Sequence, residues 1–562
     1  MEVALRLKAA ELRRRNPDEK LPCCQDASIW EEESVVDSSL VSMEVLTIVS
    51  SVLYSSLVLV VSLYCWYRWR YRDILRVASK LPCTSRAWPL IGDLHAVLWG
   101  LENLTTYILE ESRKAVAQGL HTGCFWIGPL PYLVVHDIDD IRAVMASSKT
   151  IDKAQEYDYM VMGLDTGAGP IRHGLLTAPG PVWKPSRKVI NTMFRPHNLN
   201  LMMPVYNKHS RYLVNRLSTE VGKGPTKVNM TEYLNDAAYM TINDFIFGFD
   251  INDVDPEEFR EFLNIEERIT LLFMDRIFKP WLRWKPLFQA LKKKEITDIS
   301  NVIKTFLGNA LMKAENHAEL KLKKPMENEN NYEYSKDEFM SFPDVYRPFL
   351  ERNPEFTEAD MRGEIVTLFA TGTDTVVNQA SYFLMAMGQY PEYQDKLYEE
   401  ITSVVGPDDD VSTDHIRQMI YLDQCFQETL RSFTLVPLTI RKTSEEIKLS
   451  DCTVPANQNI VLSLYGVHMN PKIFPNPERF DPERYTPENV ASRGKHVNVA
   501  FSGGPRDCIG KQYASLLVKV LVVQILRKYK VTPVVDVHKL RVMLTIVITS
   551  MEGYFVEMTP RH

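Results

Sequence analysis

Phe501-Ser-Gly-Gly-Pro-Arg-Asp-Cys-Ile-Gly510 sets one cysteine, Cys508, on a Gly/Pro-rich loop ahead of an apolar, helix-patterned run (Ala514, Leu516, Leu517, Val520, Leu521). A cysteine near a helix N-terminus meets backbone N–H groups and the positive end of the dipole, which favour thiolate over thiol. Gly503, Gly504 and Pro505 impose a tight path in which a side chain at Gly504 would strike anything lying flat above it. Arg506 supplies a cation suited to a carboxylate. A second cluster, Thr371-Gly-Thr-Asp374-Thr375, lies inside a long apolar helix pattern. That pattern opens on a capping box, Thr357-x-x-Asp360, and runs to Met387 before Gly388 and Pro391 end it. Gly372 weakens the helix, and Thr373 and Thr375 can bond back to preceding carbonyls, so a local bulge is expected. Trp183-x-x-x-Arg187 puts an indole and a guanidinium on one helix face, where both can donate to one carboxylate. Taken alone that pair is a weak signal, and Pro185 between them is tolerable only in a first helical turn.

A flat, carboxylate-bearing ligand with a metal that accepts thiolate is a haem, and Cys-ligated haem is the oxygen-activating kind. Here the chain resembles the cytochrome P450 family. Phe501-x-x-Gly504-x-Arg506-x-Cys508-x-Gly510 fills every fixed position of that family's haem-loop signature. With average residue usage, five fixed types at these spacings match by chance in roughly one such chain in several thousand. Tyr421 to Arg431 reproduces the family's K-helix pattern, with Glu428-x-x-Arg431 inside it, and Phe480-Asp-Pro-Glu-Arg484-Tyr485 supplies a third member, Arg484. The resemblance implies that Glu428, Arg431 and Arg484 form a buried ion-pair triad with a structural role. It runs from about residue 81 to the end. Gly174-Leu-Leu-Thr177 ahead of Trp183, with Gly504-Pro-Arg-Asp-Cys-Ile-Gly-Lys-Gln-Tyr513, is closest to the fourth P450 family of fatty-acid ω-hydroxylases and insect relatives.

By that resemblance the fold is mainly α with small β-sheets, a single large P450-type haem domain behind an N-terminal transmembrane helix. The same resemblance makes the cofactor haem b, iron protoporphyrin IX, with Cys508 as metal ligand and Phe501, Gly504, Arg506, Trp183, Arg187 and Arg441 as cofactor-binding residues. It also gives Asp374 and Thr375 the part of relaying protons in the groove of the bulged helix. NADPH is expected to act through NADPH–cytochrome P450 reductase, with cytochrome b5 as a further partner. Thr371 stands where many members carry a Glu that esterifies the haem, so the haem is expected not to be ester-linked. Val376 replaces a second hydroxyl, so the relay leans on Asp374 and water. Substrates of the family include fatty acids, hydrocarbons, hormones and xenobiotics. Two other classes stay open: a P450-fold isomerase or dehydratase that rearranges peroxides without a reductase, and a non-catalytic haem or lipid binder.

The elements that must position these residues are legible in outline. Strands are expected around Phe125–Val135 and at Ile460–Leu464, and a further one opens at Pro437-Leu-Thr-Ile-Arg441. Leu544–Ile548 and Tyr554–Met558 read as a hairpin joined through Met551-Glu-Gly553, its tip reaching the substrate cavity. Tyr157–Ile171, with Gly163, Gly167 and Gly169, reads either as the family's flexible loop over the substrate or as an ordinary surface loop. Residues 230–315 are helical in pattern and rich in aromatics, the place of the family's mobile lid. There Lys292-Lys293-Lys294 is either a solvated run or a contact for anionic lipid. Lys321 to Ser341 is polar and reads as an exposed loop.

At 562 residues the chain has no linker or repeat, so one large domain is expected, and its 45% hydrophobic share is ample for a core. A net charge of -7 with dispersed Lys and Arg gives no basic patch for nucleic acid. Eight cysteines without finger spacing suit a reducing compartment. Residues 1–42 form a polar tail expected to be mostly disordered, and Met43 marks it as an upstream extension. Residues 43–70 hold the anchor, since Val45–Tyr67 is uncharged and long enough to cross a bilayer. Trp66, Tyr67 and Trp69 beside Arg68, Arg70 and Arg72 mark a cytosolic end, so the domain that follows is expected in the cytosol, and the resemblance to microsomal P450s implies the endoplasmic reticulum membrane. Residues 71–92 are a basic and proline hinge, and 93–562 the catalytic domain. The expected partners are membrane lipid and a lipophilic small molecule.

Overall fold

The computed structural model describes residues 31–561 except 86, 89–90, 94, 97–99, 161–162, 223, 249–255, 323–337 and 495–496. Most of the expected Lys321–Ser341 loop and residues 1–30 of the expected tail lie outside the described residues. The chain forms two compact units, Met1–Leu75 and Arg76–His562.

The first unit is a helix, Glu31–Arg70. It starts a dozen residues ahead of the expected anchor, because nothing between Glu31 and Met43 is a Gly or Pro that would stop it. Its Val45–Arg70 stretch is 26 residues long, and an 18-residue window within it has mean hydropathy 2.2 and no buried share. At about 1.5 Å per residue it spans roughly 39 Å, more than the ~30 Å hydrocarbon core of a bilayer. Exposed Leu, Val and Tyr side chains run along it and Arg68 and Arg70 close it, as expected of an anchor with an interfacial end.

Among its described residues the second unit is helical around four small sheets. The expected strands are present. Thr122–Ile127 pairs antiparallel with Leu130–Val135, which runs parallel to Asn459–Ser463, which is antiparallel to Leu438–Lys442. That register sets Arg441 opposite Ile460. The expected C-terminal hairpin is displaced. Val542–Leu544 pairs with Ile548–Ser550, while Phe555–Pro560 joins Thr226–Asn229 on one edge and Tyr529–Pro533 on the other. Both segments carry strand pattern, and Gly553 at φ +88° turns the chain away from a hairpin toward the larger sheet.

The long central helix is two helices, Glu358–Gly372 and Asp374–Gln389. Its capping box is formed as expected: Thr357 N–H and Oγ1 both donate to Asp360 Oδ2 at 2.7 Å. Every side chain from Val376 to Met387 is buried, which places this segment inside the fold rather than on its surface. It packs against Met230–Phe247, Ile420–Ser432, Lys511–Lys528 and Tyr529–Pro533. The region ahead of it is helical as read. Phe262 stacks on Phe306 at 3.9 Å, while Trp281 and Trp284 are exposed. Lys292 is ion-paired with Asp275 and Glu295, leaving Lys293 and Lys294 in solvent.

Candidate active site

The cysteine loop is built by its own backbone. Cys508 N–H donates to Phe501 C=O at 3.0 Å, Asp507 N–H donates to Gly504 C=O at 3.1 Å, and Gly510 caps Lys511–Lys528. Gly504 has φ +68°, and a Cβ there would lie 2.0 Å from the carbonyl oxygen of Met145. The glycine is therefore required by the Ile138–Ala146 helix pressed against the loop. The accessible surface of Cys508 belongs to an internal cavity. Burial pushes its thiol up, opposed by the Gly510 N–H and by Arg187. Burial and the helix terminus therefore act on this thiol in opposite directions.

Trp183 and Arg187 lie on Gly180–Ile190, which continues through Pro185 beyond its first turn. Both line the same cavity, and each also has a partner within the protein. Arg187 donates to Asp507 C=O at 3.0 Å and to Asp507 Oδ1 at 2.7 Å, tying this helix to the cysteine loop. The Trp183 ring lies 4.3 Å from the Arg506 guanidinium. Arg506 donates to the carbonyls of Ile151 (2.9 Å), Leu175 (3.1 Å) and Ala178. Burial, with Arg441 nearby, pushes its pKa down to about 9.

Arg441 is fully buried, and Nε and both terminal nitrogens have no hydrogen-bond partner. Across an isolated bridge from it stands Lys153, whose ammonium is 3.2 Å from Thr439 Oγ1. Burial and the charges of Arg441 and Arg506 hold the Lys153 pKa well below its usual value. Like charges directly opposite each other, one without any acceptor, are destabilising unless an anion sits between them. The pair of carboxylates on a haem edge fits that requirement. Lys153 has no sequence signal: only the bridge to Arg441, nearly three hundred residues away, brings it here.

The helix break falls where expected. Thr373 stands between the two helices, distorted but still in the right-handed region at φ −98°, ψ −68°, and the hydroxyls of Thr371, Thr373 and Thr375 donate to the carbonyls of Thr367 (2.7 Å), Phe369 (2.9 Å) and Thr371 (2.9 Å). The Asp374 carbonyl accepts from Asn378 Nδ2 at 2.7 Å. The expected triad is also formed. Arg431 grips both oxygens of Glu428 at 2.8 and 2.7 Å, and Arg484 Nε lies 3.4 Å from Glu428 Oε1. Sequence reading missed His468. Its Nε2 accepts from Val499 N–H at 3.0 Å and its carbonyl accepts from Arg431 at 3.0 Å, so it joins the triad to the start of the cysteine loop. Burial lowers its pKa to about 3, keeping the imidazole neutral so that Nε2 can accept.

One cavity of about 520 Å³ brings together Phe501, Arg506, Cys508, Trp183, Arg187, Asp374 and Thr375, with Lys153 and Ile440, the chain neighbour of Arg441, also in its lining; Gly504 and Arg441 are not lining residues themselves. The rest of the lining is mostly apolar, including Leu368, Leu435 and Val436, and the Thr545–Val547 turn closes part of it. A cysteine sulfur, a hydroxyl–carboxylate pair and a cluster of cations thus share one largely apolar cavity.

The cytochrome P450 family model matches residues 93–557. The chain is 29% identical over 469 residues to "Cytochrome P450 4c21" of Blattella germanica, covering 82% of this chain and 89% of that protein. It is 28% identical over 500 residues to "Cytochrome P450 4V2" of Mus musculus, 86% of this chain and 90% of that protein. With "Cytochrome P450 4g15" of Drosophila melanogaster the identity is 25% over 577 residues, 91% of this chain and 97% of that protein. With the signature loop, the broken central helix and the triad in place, the chain belongs to the cytochrome P450 family and is a haem-dependent monooxygenase resembling members of its fourth family.

Proposed function

We propose that this monooxygenase acts on lipophilic substrates, a fatty acid, hydrocarbon, hormone or xenobiotic, at the endoplasmic reticulum membrane. Its domain lies in the cytosol and takes electrons from NADPH–cytochrome P450 reductase, with cytochrome b5 as a second donor. The boundaries proposed are 1–42 for the tail, 43–70 for the anchor, 71–92 for the hinge and 93–562 for the catalytic domain. The observation that carries the reading is the meeting of Cys508, Asp374 and Thr375 in one enclosed apolar cavity.

Cys508 is the residue to hold the iron, with Phe501 beside it. Arg441, Arg506 with Trp183, and Lys153 are suited to the haem carboxylates, and Arg187 acts by fixing Asp507 next to the ligand. When bound, haem supplies reductive activation of dioxygen and insertion of one oxygen atom into the substrate. The protein's own work is to exclude bulk water and to hold protons. The Thr375 hydroxyl, bonded back to Thr371 C=O at 2.9 Å, can turn into the groove by rotating about χ1 and donate there. Asp374 on the same turn, with water, re-protonates it.

Replacing Thr375 by Ala should leave haem content unchanged while coupling of NADPH oxidation to product falls about tenfold or more and hydrogen peroxide rises in step. Unchanged coupling would remove Thr375 from proton delivery, and turnover of a lipid hydroperoxide without NADPH would replace the monooxygenase reading by the isomerase one. Thr371 has a hydroxyl already bonded to Thr367 C=O at 2.7 Å and no carboxylate to offer, so the haem should extract completely into acidified organic solvent. Haem retained on the denatured chain would contradict this.

A further inference from the structure

The central helix carries a buried acid ahead of its break. Glu364 lies in the Glu358–Gly372 helix, is 1% exposed, and has no ion-pair partner among the described residues. Its Oε2 accepts from Leu175 N–H at 2.7 Å, while the Leu175 carbonyl accepts from Arg506, which holds that guanidinium on the far side of the peptide. From the Phe342–Arg352 helix Tyr346 faces the acid, its hydroxyl 3.2 Å from Ser186 Oγ on the Gly180–Ile190 helix. One turn earlier on its own helix stands Asp360, whose Oδ2 is 3.3 Å from the half-exposed Arg172. A buried carboxyl without a bonded cation keeps its proton. Burial pushes the Glu364 pKa up to about 8, opposed by the Leu175 N–H and the Ser186 hydroxyl, with Asp360 adding to the rise and Arg506 subtracting from it.

From Asp360 a file of oxygen-bearing side chains follows one helix face through Glu364, Thr367, Thr371 and Thr375, each three or four residues on from the last. Gly174 leaves room for the first step: a Cβ there would lie 2.1 Å from Thr367 Oγ1 and 3.1 Å from Glu364 Oε2, so both oxygens meet at that gap. Thr367, Thr371 and Thr375 all line the cavity. Their hydroxyls donate back to the carbonyls of Gly363 (2.9 Å), Thr367 (2.7 Å) and Thr371 (2.9 Å), which leaves lone pairs on each oxygen for a further donor. We propose that Glu364 is a protonated reservoir that refills the Thr375 hydroxyl by way of Thr367 and Thr371, a second supply beside Asp374 for the monooxygenase reading on which it rests. A proton leaves the Glu364 carboxyl for the next oxygen in the file, a threonine hydroxyl or a water between two of them. That oxygen releases its own proton onward, until one reaches Thr375 Oγ1. The Glu364 carboxylate left behind takes a proton from solvent through water at the Asp360–Arg172 end. Each transfer moves one proton and leaves every bond between heavy atoms in place.

The test uses the haem-loaded full chain in lipid nanodiscs with NADPH–cytochrome P450 reductase and a panel of fatty acids and alkanes, the probe being the member oxygenated fastest. Glu364→Gln keeps an acceptor for Leu175 N–H and has no acid proton to give. Haem content and melting temperature should be unchanged, while coupling of NADPH oxidation to product falls about threefold and hydrogen peroxide rises. In the unaltered protein coupling should fall as pH rises through about 8, and the variant should lose that dependence. Infrared difference spectra, which need no turnover, should show a protonated carboxyl band in the unaltered protein that fades over the same pH range and is missing from the variant. Thr367→Val interrupts the file without touching the acid, so it should keep the band and lose coupling as Glu364→Gln does. It decides the matter if Glu364→Gln loads haem poorly. A missing band in the unaltered protein, or normal coupling in Thr367→Val, would overturn the proposal alone. Absence of NADPH-driven product from the unaltered protein with every panel member would instead fail the monooxygenase reading, and this proposal with it.

Discussion

Cys508→Ser is expected to lose the thiolate band of the reduced carbon monoxide complex entirely and to bring NADPH-driven oxygenation to background. A serine hydroxyl is far too weak an acid to bind iron as an anion under the conditions that leave a cysteine ionised on the metal. The loop should survive the change. Its closure rests on Cys508 N–H to Phe501 C=O and Asp507 N–H to Gly504 C=O, both backbone bonds, and on Arg187 gripping Asp507. Thermal stability of the haem-free protein should therefore move by no more than about 1 kcal/mol. Carbon monoxide spectroscopy of the purified variant decides the matter, and an unchanged band would mean that another residue holds the iron.

The second large effect is structural. Arg431 donates to Glu428 twice and to the carbonyls of His468 and Pro477, and both it and Glu428 are fully buried. Arg431→Ala leaves the Glu428 carboxylate in the interior with Arg484 at 3.4 Å as its remaining cation and strips two loop carbonyls of their donor. Breaking one side of such a buried pair costs roughly 3–5 kcal/mol, against a typical total of about 5–15 kcal/mol. The variant should express with little haem and unfold at a markedly lower temperature. Arg431→Lys should rescue only part of this, since an ammonium cannot reproduce the two-pronged grip. Haem content and melting temperature equal to the unaltered protein would show that the triad does not brace the cysteine loop.

Chemistry compressed into a short stretch was legible in the residues themselves. The cysteine loop, the capping box at Thr357, the break at Thr373 and the Glu428–Arg431 pair depend on neighbours within one helical turn or one loop, so their residue types and spacing carry the information. Features that depend on distant chain did not announce themselves. Gly504 is required by Met145, Lys153 acquires its place from a bridge to Arg441, and His468 matters because Val499 and Arg431 happen to reach it. Arg187 illustrates a different limit: helix spacing put it on the face of Trp183, but its bond to Asp507 depends on a loop 320 residues away that no local pattern reveals. The C-terminal strands were recognisable as strands, while their pairing was settled by which sheet edges stood open beside them, a property no local pattern encodes.

The proposed monooxygenase chemistry rests on one sulfur: Cys508 would hold the haem iron in the cavity that it lines together with Asp374 and Thr375. Electron paramagnetic resonance of the unaltered, haem-loaded protein in its resting ferric state tests that coordination without any substrate or reductase. The expected result is the rhombic low-spin spectrum of a thiolate ligand, lost in Cys508→Ser; an imidazole-type spectrum, or a thiolate spectrum that persists in that variant, would contradict it.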